Sequence, residues 1–135
     1  MASKLRRDRI AERIRDDLAE MLLQDVSDPR LVGVFVSGVK IDRELAFADI
    51  HISALEGSAR MTEILDGLEH AKGYLRRGLS QRIDLRSFPR LRFHWDSTAE
   101  RAERIEEIIA TLHREAETPT EPPYLGPQED KDVSG

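Results

Sequence analysis

The 135-residue sequence contains no cysteine, which excludes disulfides, thiolate nucleophiles and zinc sites with cysteine ligands. Aromatic residues make up only 5% of the chain. No apolar run approaches the roughly 18 residues of a membrane-spanning helix. The basic N-terminus is not followed by the apolar segment of a secretory signal. These absences predict a cytoplasmic protein with no membrane partner.

Arrangements of residues that could act in catalysis or bind a metal ion are also lacking in the sequence. The four histidines are dispersed, without the His-x-x-x-His spacing or the carboxylate cluster that a metal site needs. Asp49, His51 and Ser53 alternate along one predicted strand, where residues two apart lie about 6.6–7 Å from each other. That separation is awkward for the direct hydrogen bonds of a catalytic triad. We therefore expect neither an enzyme nor a cofactor or metal site.

Charge is distributed unevenly along the chain. The 26 acidic and 21 basic residues give a formal net charge of −5. The stretch 117–135 contributes −4 of this, holds four of the six prolines and shows no apolar period. Such a composition predicts a disordered, acidic C-terminal tail. Residues 1–116, the predicted folded domain, therefore carry only −1.

Within that domain the basic residues form two clusters. Residues 1–15 hold six bases and two acids, and residues 72–92 hold seven bases and one acid. Bases at the start of a helix oppose its macrodipole, so local stability does not account for the first cluster. Phosphate binding accounts for it, and a solvated face of the helix is the alternative that the sequence leaves open.

Hydrophobic periodicity predicts the first three elements. Apolar residues recur at helical spacing from about Lys4 to Gln24, and Asp28-Pro29 ends that helix. Two strands follow at 34–41 and 45–52, joined by residues 42–44 as a β-hairpin. The residues expected to face inward from the first helix are Ile10, Ile14, Leu18, Met21 and Leu22.

The sequence of the second helical segment, from Met61 to Leu79, predicts that its helix is broken in the middle. An unbroken helix would place Lys72 within the apolar face, and Gly73 and Gly78 weaken the helix in its middle. A kink at Ala71, Lys72 and Gly73 would resolve both problems and would leave two short helices.

The remaining elements are a strand at 91–95 and a last helix that opens with the capping box Ser97–Glu100. Ala102, Ile105, Ile109 and Leu112 are expected to face inward. The predicted fold class is α+β, in the order α-β-β-α-kink-α-β-α, with helices packed on a three-stranded mixed sheet.

That order resembles the type II KH RNA-binding fold, with Ala71-Lys72-Gly73 in place of the usual Gly-x-x-Gly loop. The segment 27–31 (Ser-Asp-Pro-Arg-Leu), the strand 45–52 and the block 85–97 (Leu-Arg-Ser-Phe-Pro-Arg-Leu-Arg-Phe-His-Trp-Asp-Ser) are similar to segments of the ribosome-binding factor A family. The resemblance covers about residues 4–115. Arg90 stands where that family commonly has glutamate, which makes the start of the third strand more basic.

The resemblance implies a non-enzymatic assembly factor that binds the small (30S) ribosomal subunit. It implies support of late maturation and 5′-end processing of 16S rRNA, with most importance in the cold. The implied partners are the small subunit, its 16S rRNA and other assembly factors such as maturation GTPases, and we expect a monomer. The alternative is a protein–protein adaptor whose basic surfaces meet an acidic partner such as a maturation GTPase.

In KH folds the region around the kink faces nucleic acid, which assigns RNA contact to the second basic cluster as well. Arginine can bridge phosphate oxygens with two parallel hydrogen bonds. With few aromatic residues among the bases, we expect recognition of the RNA backbone rather than of stacked bases. The residues expected to contact RNA are Lys4, Arg6, Arg9, Arg13, Lys72, Arg76, Arg77, Arg82, Arg86, Arg90 and Arg92.

Overall fold

The computed structural model describes residues 2–117. The chain up to Ser97 forms one compact unit, and the described part of a second unit, which begins at Thr98, is a single helix. Apart from Glu117, the predicted C-terminal tail lies outside the described residues. In residues 2–117 no helix combines the length and the hydropathy that crossing a membrane requires.

The strands form a mixed sheet with β2 in the centre. β2 pairs antiparallel with β1 and parallel with β3. The predicted α+β, KH-like type II class is confirmed, because helices and strands follow each other in the expected order, with one helix in place of the two predicted around the kink. The elements are α1 (Lys4–Gln24), β1 (Val34–Ile41), β2 (Phe47–Ala54), α2 (Met61–Arg82), β3 (Arg90–Trp95) and α3 (Thr98–Glu117).

Helix α1 forms as its apolar period predicts. The Ser3 side chain accepts a hydrogen bond from the Arg6 amide and caps the first turn. The helix packs on β1, and a short 3-10 turn at Pro29–Leu31 follows it. All five residues predicted to face inward are buried: Ile10, Ile14, Leu18, Met21 and Leu22.

The hairpin turn is longer than predicted, and β2 begins at Phe47 rather than at residue 45. Leu45 has a φ of 58°, in the left-handed region that strands do not use. The Asp42 carboxylate accepts hydrogen bonds from the Ala46 and Phe47 amides, each at 2.8 Å. These bonds hold residues 42–46 in a turn and delay the start of the strand.

The prediction of two short helices was wrong, because α2 runs without a break through Ala71, Lys72 and Gly73. Lys72 is half-buried, and its Nζ lies 2.8 Å from Glu69 Oε1. A lysine can keep its stem against apolar neighbours and its ammonium group in water, so it does not force a break. Gly78 serves helix packing, because an added Cβ would collide with the Met21 side chain of α1.

Helix α3 begins at Thr98, directly after the predicted capping residue Ser97. The described part of the second unit does not itself bury the face expected to point inward: Ala102 is exposed, and Ile105, Ile109 and Leu112 are each more than half exposed. Periodicity predicts that a helix has an apolar face, whereas burial of that face depends on contacts that are distant in sequence.

Candidate RNA-binding surface

Three arginines form a stripe along one side of α1. Arg6, Arg9 and Arg13 follow at spacings of three and four residues, which places them on adjacent turns of one face. We call them the arginine stripe. Arg13 Nη2 donates to the Arg82 carbonyl at 2.9 Å, so the stripe ends beside the end of α2. Within residues 2–117, the side chains of Arg6 and Arg9 form no ion pair or hydrogen bond.

Four of the seven bases of the second basic cluster line a groove between the middle of α2 and the start of β3. We call it the β3 groove, and its volume is about 530 Å³. Phe47 and Leu91 give it apolar walls. The parallel pairing of β2 with β3 brings Phe47 opposite Arg90. Its four basic residues are Lys72, Arg76, Arg90 and Arg92.

Arg76 positions the chain at the start of β3. Its Nη2 donates to the Phe88 carbonyl at 2.6 Å and its Nε to the Pro89 carbonyl at 3.1 Å. Both Phe88 and Pro89 are buried. Within the described chain no carboxylate pairs with this guanidinium, so Arg76 supports the β3 groove and still contributes positive charge to it.

Arg92 is held by a carboxylate on the neighbouring strand. Its Nε and Nη2 donate to the two oxygens of Asp49 at 2.8 and 3.0 Å, and its guanidinium lies 4.0 Å from the centre of the Phe47 ring. His94 Nε2 lies 2.7 Å from Asp49 Oδ1. The hydrogen bond from Arg92 lowers the pKa of Asp49, so the carboxylate stays ionised and offsets the charge of Arg92.

Three more of the predicted RNA contacts are engaged in ion pairs. Lys4 pairs with Asp8 at 2.8 Å, and Lys72 pairs with Glu69. Arg82 reaches Glu20 and Asp25, each at 3.1 Å, and so joins the end of α2 to the end of α1.

Five of the eleven predicted contacts remain exposed, and their side chains have no hydrogen bond or ion pair to any residue in 2–117. The pattern of basic residues did not separate these five from the six that bind carboxylates or carbonyls. It also missed Phe47 and Asp49, whose roles depend on the register between β2 and β3. The five free residues are Arg6, Arg9, Arg77, Arg86 and Arg90.

No group of three or more histidine, aspartate or glutamate side chains within 2–117 is arranged to hold a metal ion.

Comparison with known proteins shows which family the chain is similar to. The family model described as Ribosome-binding factor A matches residues 6–109. The Ribosome-binding factor A of Chromohalobacter salexigens is 42% identical over 106 residues, which cover 77% of this chain and 81% of that protein. The crystal structure of ribosome-binding factor A from Thermus thermophilus matches with a TM-score of 0.60 and 25% identity, over 66% of this chain and 93% of that one.

The same fold appears in a homology model of the Thermus thermophilus factor that was fitted into the cryo-EM map of its 30S complex. The TM-score is 0.56 at 24% identity, over 67% of this chain and 96% of that one. The region matched by the family model includes the arginine stripe and the β3 groove.

Proposed function

The chain belongs to the ribosome-binding factor A family, and on that premise we propose that it is an assembly factor that binds the small ribosomal subunit through 16S rRNA. In this role it supports late maturation and 5′-end processing of that rRNA, with most importance in the cold. The related Thermus thermophilus factor is described in a complex with 30S. The factor acts by binding, and the proposal includes no catalytic step.

The observation that carries this proposal is the set of free arginines on the arginine stripe and around the β3 groove. Arg6 and Arg9 lie on the first surface, Arg90 lines the second, and none of their charges is offset by a described carboxylate. Phosphate oxygens accept the two parallel hydrogen bonds of a guanidinium. Free arginines on two surfaces of one small unit therefore suit a structured RNA backbone.

The aromatic side chain in the wall of the β3 groove is already covered, which supports recognition of the RNA backbone rather than of stacked bases. The Arg92 guanidinium already covers the Phe47 ring at 4.0 Å. Tyr74 is exposed on α2, but it does not line the groove. Contacts to phosphate and sugar position a protein on RNA without reading its sequence. The folded part of residues 1–116 would make these contacts as a monomer.

The direct test is co-sedimentation of the full chain with purified small subunits between about 50 and 200 mM salt. Arg9→Gln and Arg90→Gln should each weaken binding a few-fold and lower the slope of log affinity against log salt by about one. Arg15→Gln is the matched control, because Arg15 lies on α1 outside the stripe, and we expect it to bind normally.

Absence of wild-type binding to small subunits would refute the proposed function. Wild-type binding with unchanged salt slopes in both variants would refute the assigned surface. If binding appeared only after a maturation GTPase was added, the adaptor function would replace direct RNA contact.

A further inference from the structure

An apolar groove lies at the opposite end of the sheet from the β3 groove. It has a volume of about 550 Å³, and its walls include Val26 and Leu31. Four large apolar side chains at this groove face solvent: Leu23 is 83% exposed, Leu55 85%, Val32 68% and Phe35 40%. Exposed apolar side chains concentrated in one place are typical of a protein-binding surface.

The charges around the apolar groove cancel each other. Asp28 pairs with Arg30 at 2.7 Å, and Glu56, whose carboxylate approaches Gly33 in the groove wall, pairs with Arg60 at 2.8 Å. A surface without unpaired positive charge does not attract the polyanionic RNA backbone. It is complementary to an uncharged, apolar polypeptide.

Arg60 also makes the rim of the apolar groove rigid. Its guanidinium donates to the Arg30 carbonyl at 3.1 Å and to the Val32 carbonyl at 2.9 Å. These bonds tie the segment before β1 to the start of α2. The groove is therefore already formed in the free chain, which lowers the cost of ordering it on binding.

The groove adjoins an unpaired strand edge. Within residues 2–117, β2 is the only strand hydrogen-bonded to β1, so the outer edge of β1 is free. A bulge at Ser37 and the exposed Lys40 protect the second half of β1 from pairing with another chain. The first half, Val34–Val36, has no such protection, and Val34 and Phe35 line the groove. This combination favours an extended peptide that adds to the edge and inserts side chains into the groove.

The residues that line the apolar groove differ from those of the two proposed RNA-binding surfaces. On α1, Leu22 in the groove wall lies nine residues, or about 14 Å, beyond Arg13, where the arginine stripe ends. Leu55 follows β2 directly and lines the apolar groove. It lies about 25 Å along the strand direction from Phe47 in the β3 groove.

We propose that the apolar groove binds an extended, uncharged, apolar segment of a protein of the small ribosomal subunit, which pairs with the first half of β1. This inference rests on the proposed binding to the small subunit. It adds a protein contact to the RNA contacts and places it at the opposite end of the sheet from the β3 groove.

Site-specific photo-crosslinking of the full chain in complex with purified small subunits tests the proposal. A photoreactive phenylalanine at position 35 should crosslink to one ribosomal protein, and the same residue at Tyr74, exposed on α2 outside the groove, should not reach that protein. With the complex intact, a crosslink to rRNA, a crosslink to a second copy of this chain, or no crosslink at position 35 would overturn the proposal.

Neutral substitutions give a second measurement. Leu23→Ser and Leu55→Ser should each weaken subunit binding about tenfold, because an apolar contact is lost. The salt slope should not change, since no phosphate contact is removed. Both side chains are mostly exposed in the free chain, so folding should be unaffected. Tyr74→Ser is the control and should bind normally.

Unchanged affinity in both leucine variants would overturn the inference. The proposed function would still stand if Arg9→Gln and Arg90→Gln lowered the salt slope. Failure of the wild-type chain to bind small subunits would instead refute the proposed function itself.

Discussion

At the scale of single residues, an arginine that is paired with a carboxylate has a structural role, whereas an unpaired arginine leaves its charge available to a partner. Arg82 and Arg92 are matched by carboxylates and hold elements together. Arg77 and Arg90 are exposed and have no partner among the described side chains. Surface charge available for phosphate therefore comes from fewer residues than the count of bases indicates.

Adjacent arginines on α2 should behave differently when each is removed. Arg76→Ala should destabilise the fold by about 1–3 kcal/mol, because the buried Phe88 and Pro89 carbonyls lose their donor. Arg77→Ala should change stability by less than about 0.5 kcal/mol and should weaken subunit binding. Urea unfolding and co-sedimentation of both variants check this, and equal losses of stability would contradict the assignment.

Asp49 should make stability depend on pH. Its pKa is lowered in the folded chain, first by the hydrogen bond from Arg92, so its contribution is fully present above the ordinary aspartate pKa of about 3.9. That contribution is lost as the pH falls through the lower folded pKa. Asp49→Asn should therefore cost about 1 kcal/mol at pH 7, and progressively less below about pH 4.

Urea unfolding at several pH values measures this difference. Asp16→Asn is the control, because Asp16 is exposed and has no ion pair within residues 2–117. A difference between wild type and Asp49→Asn that stayed constant with pH would rule out the ion pair as its source.

At the scale of elements, the glycines of α2 have different roles. Gly78 is where α1 approaches α2 closely, with Met21 Sδ only 3.2 Å from the position of an added Cβ. Gly73 has open space at the same position, because nothing beyond the adjacent residues and backbone of its own helix lies within 4 Å. Both glycines weaken the helix to a similar degree, but only at Gly78 does the close approach of a neighbouring helix require the absence of a side chain.

Two matched substitutions in this helix should have opposite signs. Gly73→Ala should stabilise the fold by up to about 1 kcal/mol, because alanine favours a helix and meets no neighbour. Gly78→Ala should destabilise it by roughly 1 kcal/mol, because displacement of the buried Met21 outweighs the same propensity gain. Thermal unfolding of both variants tests this. A higher melting temperature for Gly78→Ala would show that the two helices can separate without cost.

At the scale of the whole molecule, the average charge is a poor guide to binding. The chain carries −5, but residues 117–135 account for −4 of it. The free arginines lie on the first unit, together with an apolar groove whose flanking charges cancel. The proposed RNA and protein contacts therefore use different side chains of that unit.

A chain that ends at residue 116 tests the predicted domain boundary and the effect of the acidic stretch together. It should fold with a cooperative transition like that of the full chain. It should bind small subunits about two- to fivefold more tightly at low salt, because four negative charges are removed, and the advantage should vanish at high salt. Loss of folding would place the boundary elsewhere, and equal affinity at low salt would exclude an electrostatic effect of the stretch.

Local sequence was sufficient to predict every helix and strand to within a few residues, except for the break in α2. Helical and strand periodicity depend on neighbours along the chain, which is why all five residues predicted to face inward from α1 are buried; Ala11 is also buried and was not among them. The turn at Asp42–Ala46 was misjudged because one carboxylate holds two later amides. The two basic clusters were also visible, since they are simple counts of residue types.

Only the tertiary structure decided which of the predicted RNA-binding residues have no side-chain partner within residues 2–117. Arg82 finds its partners 62 and 57 residues away, and Arg92 finds Asp49 43 residues away. Such pairs depend on strand register and helix packing, which local patterns do not contain. The apolar groove has the same origin, because α1, the segment before β1 and Leu55 form its walls only after the sheet has assembled.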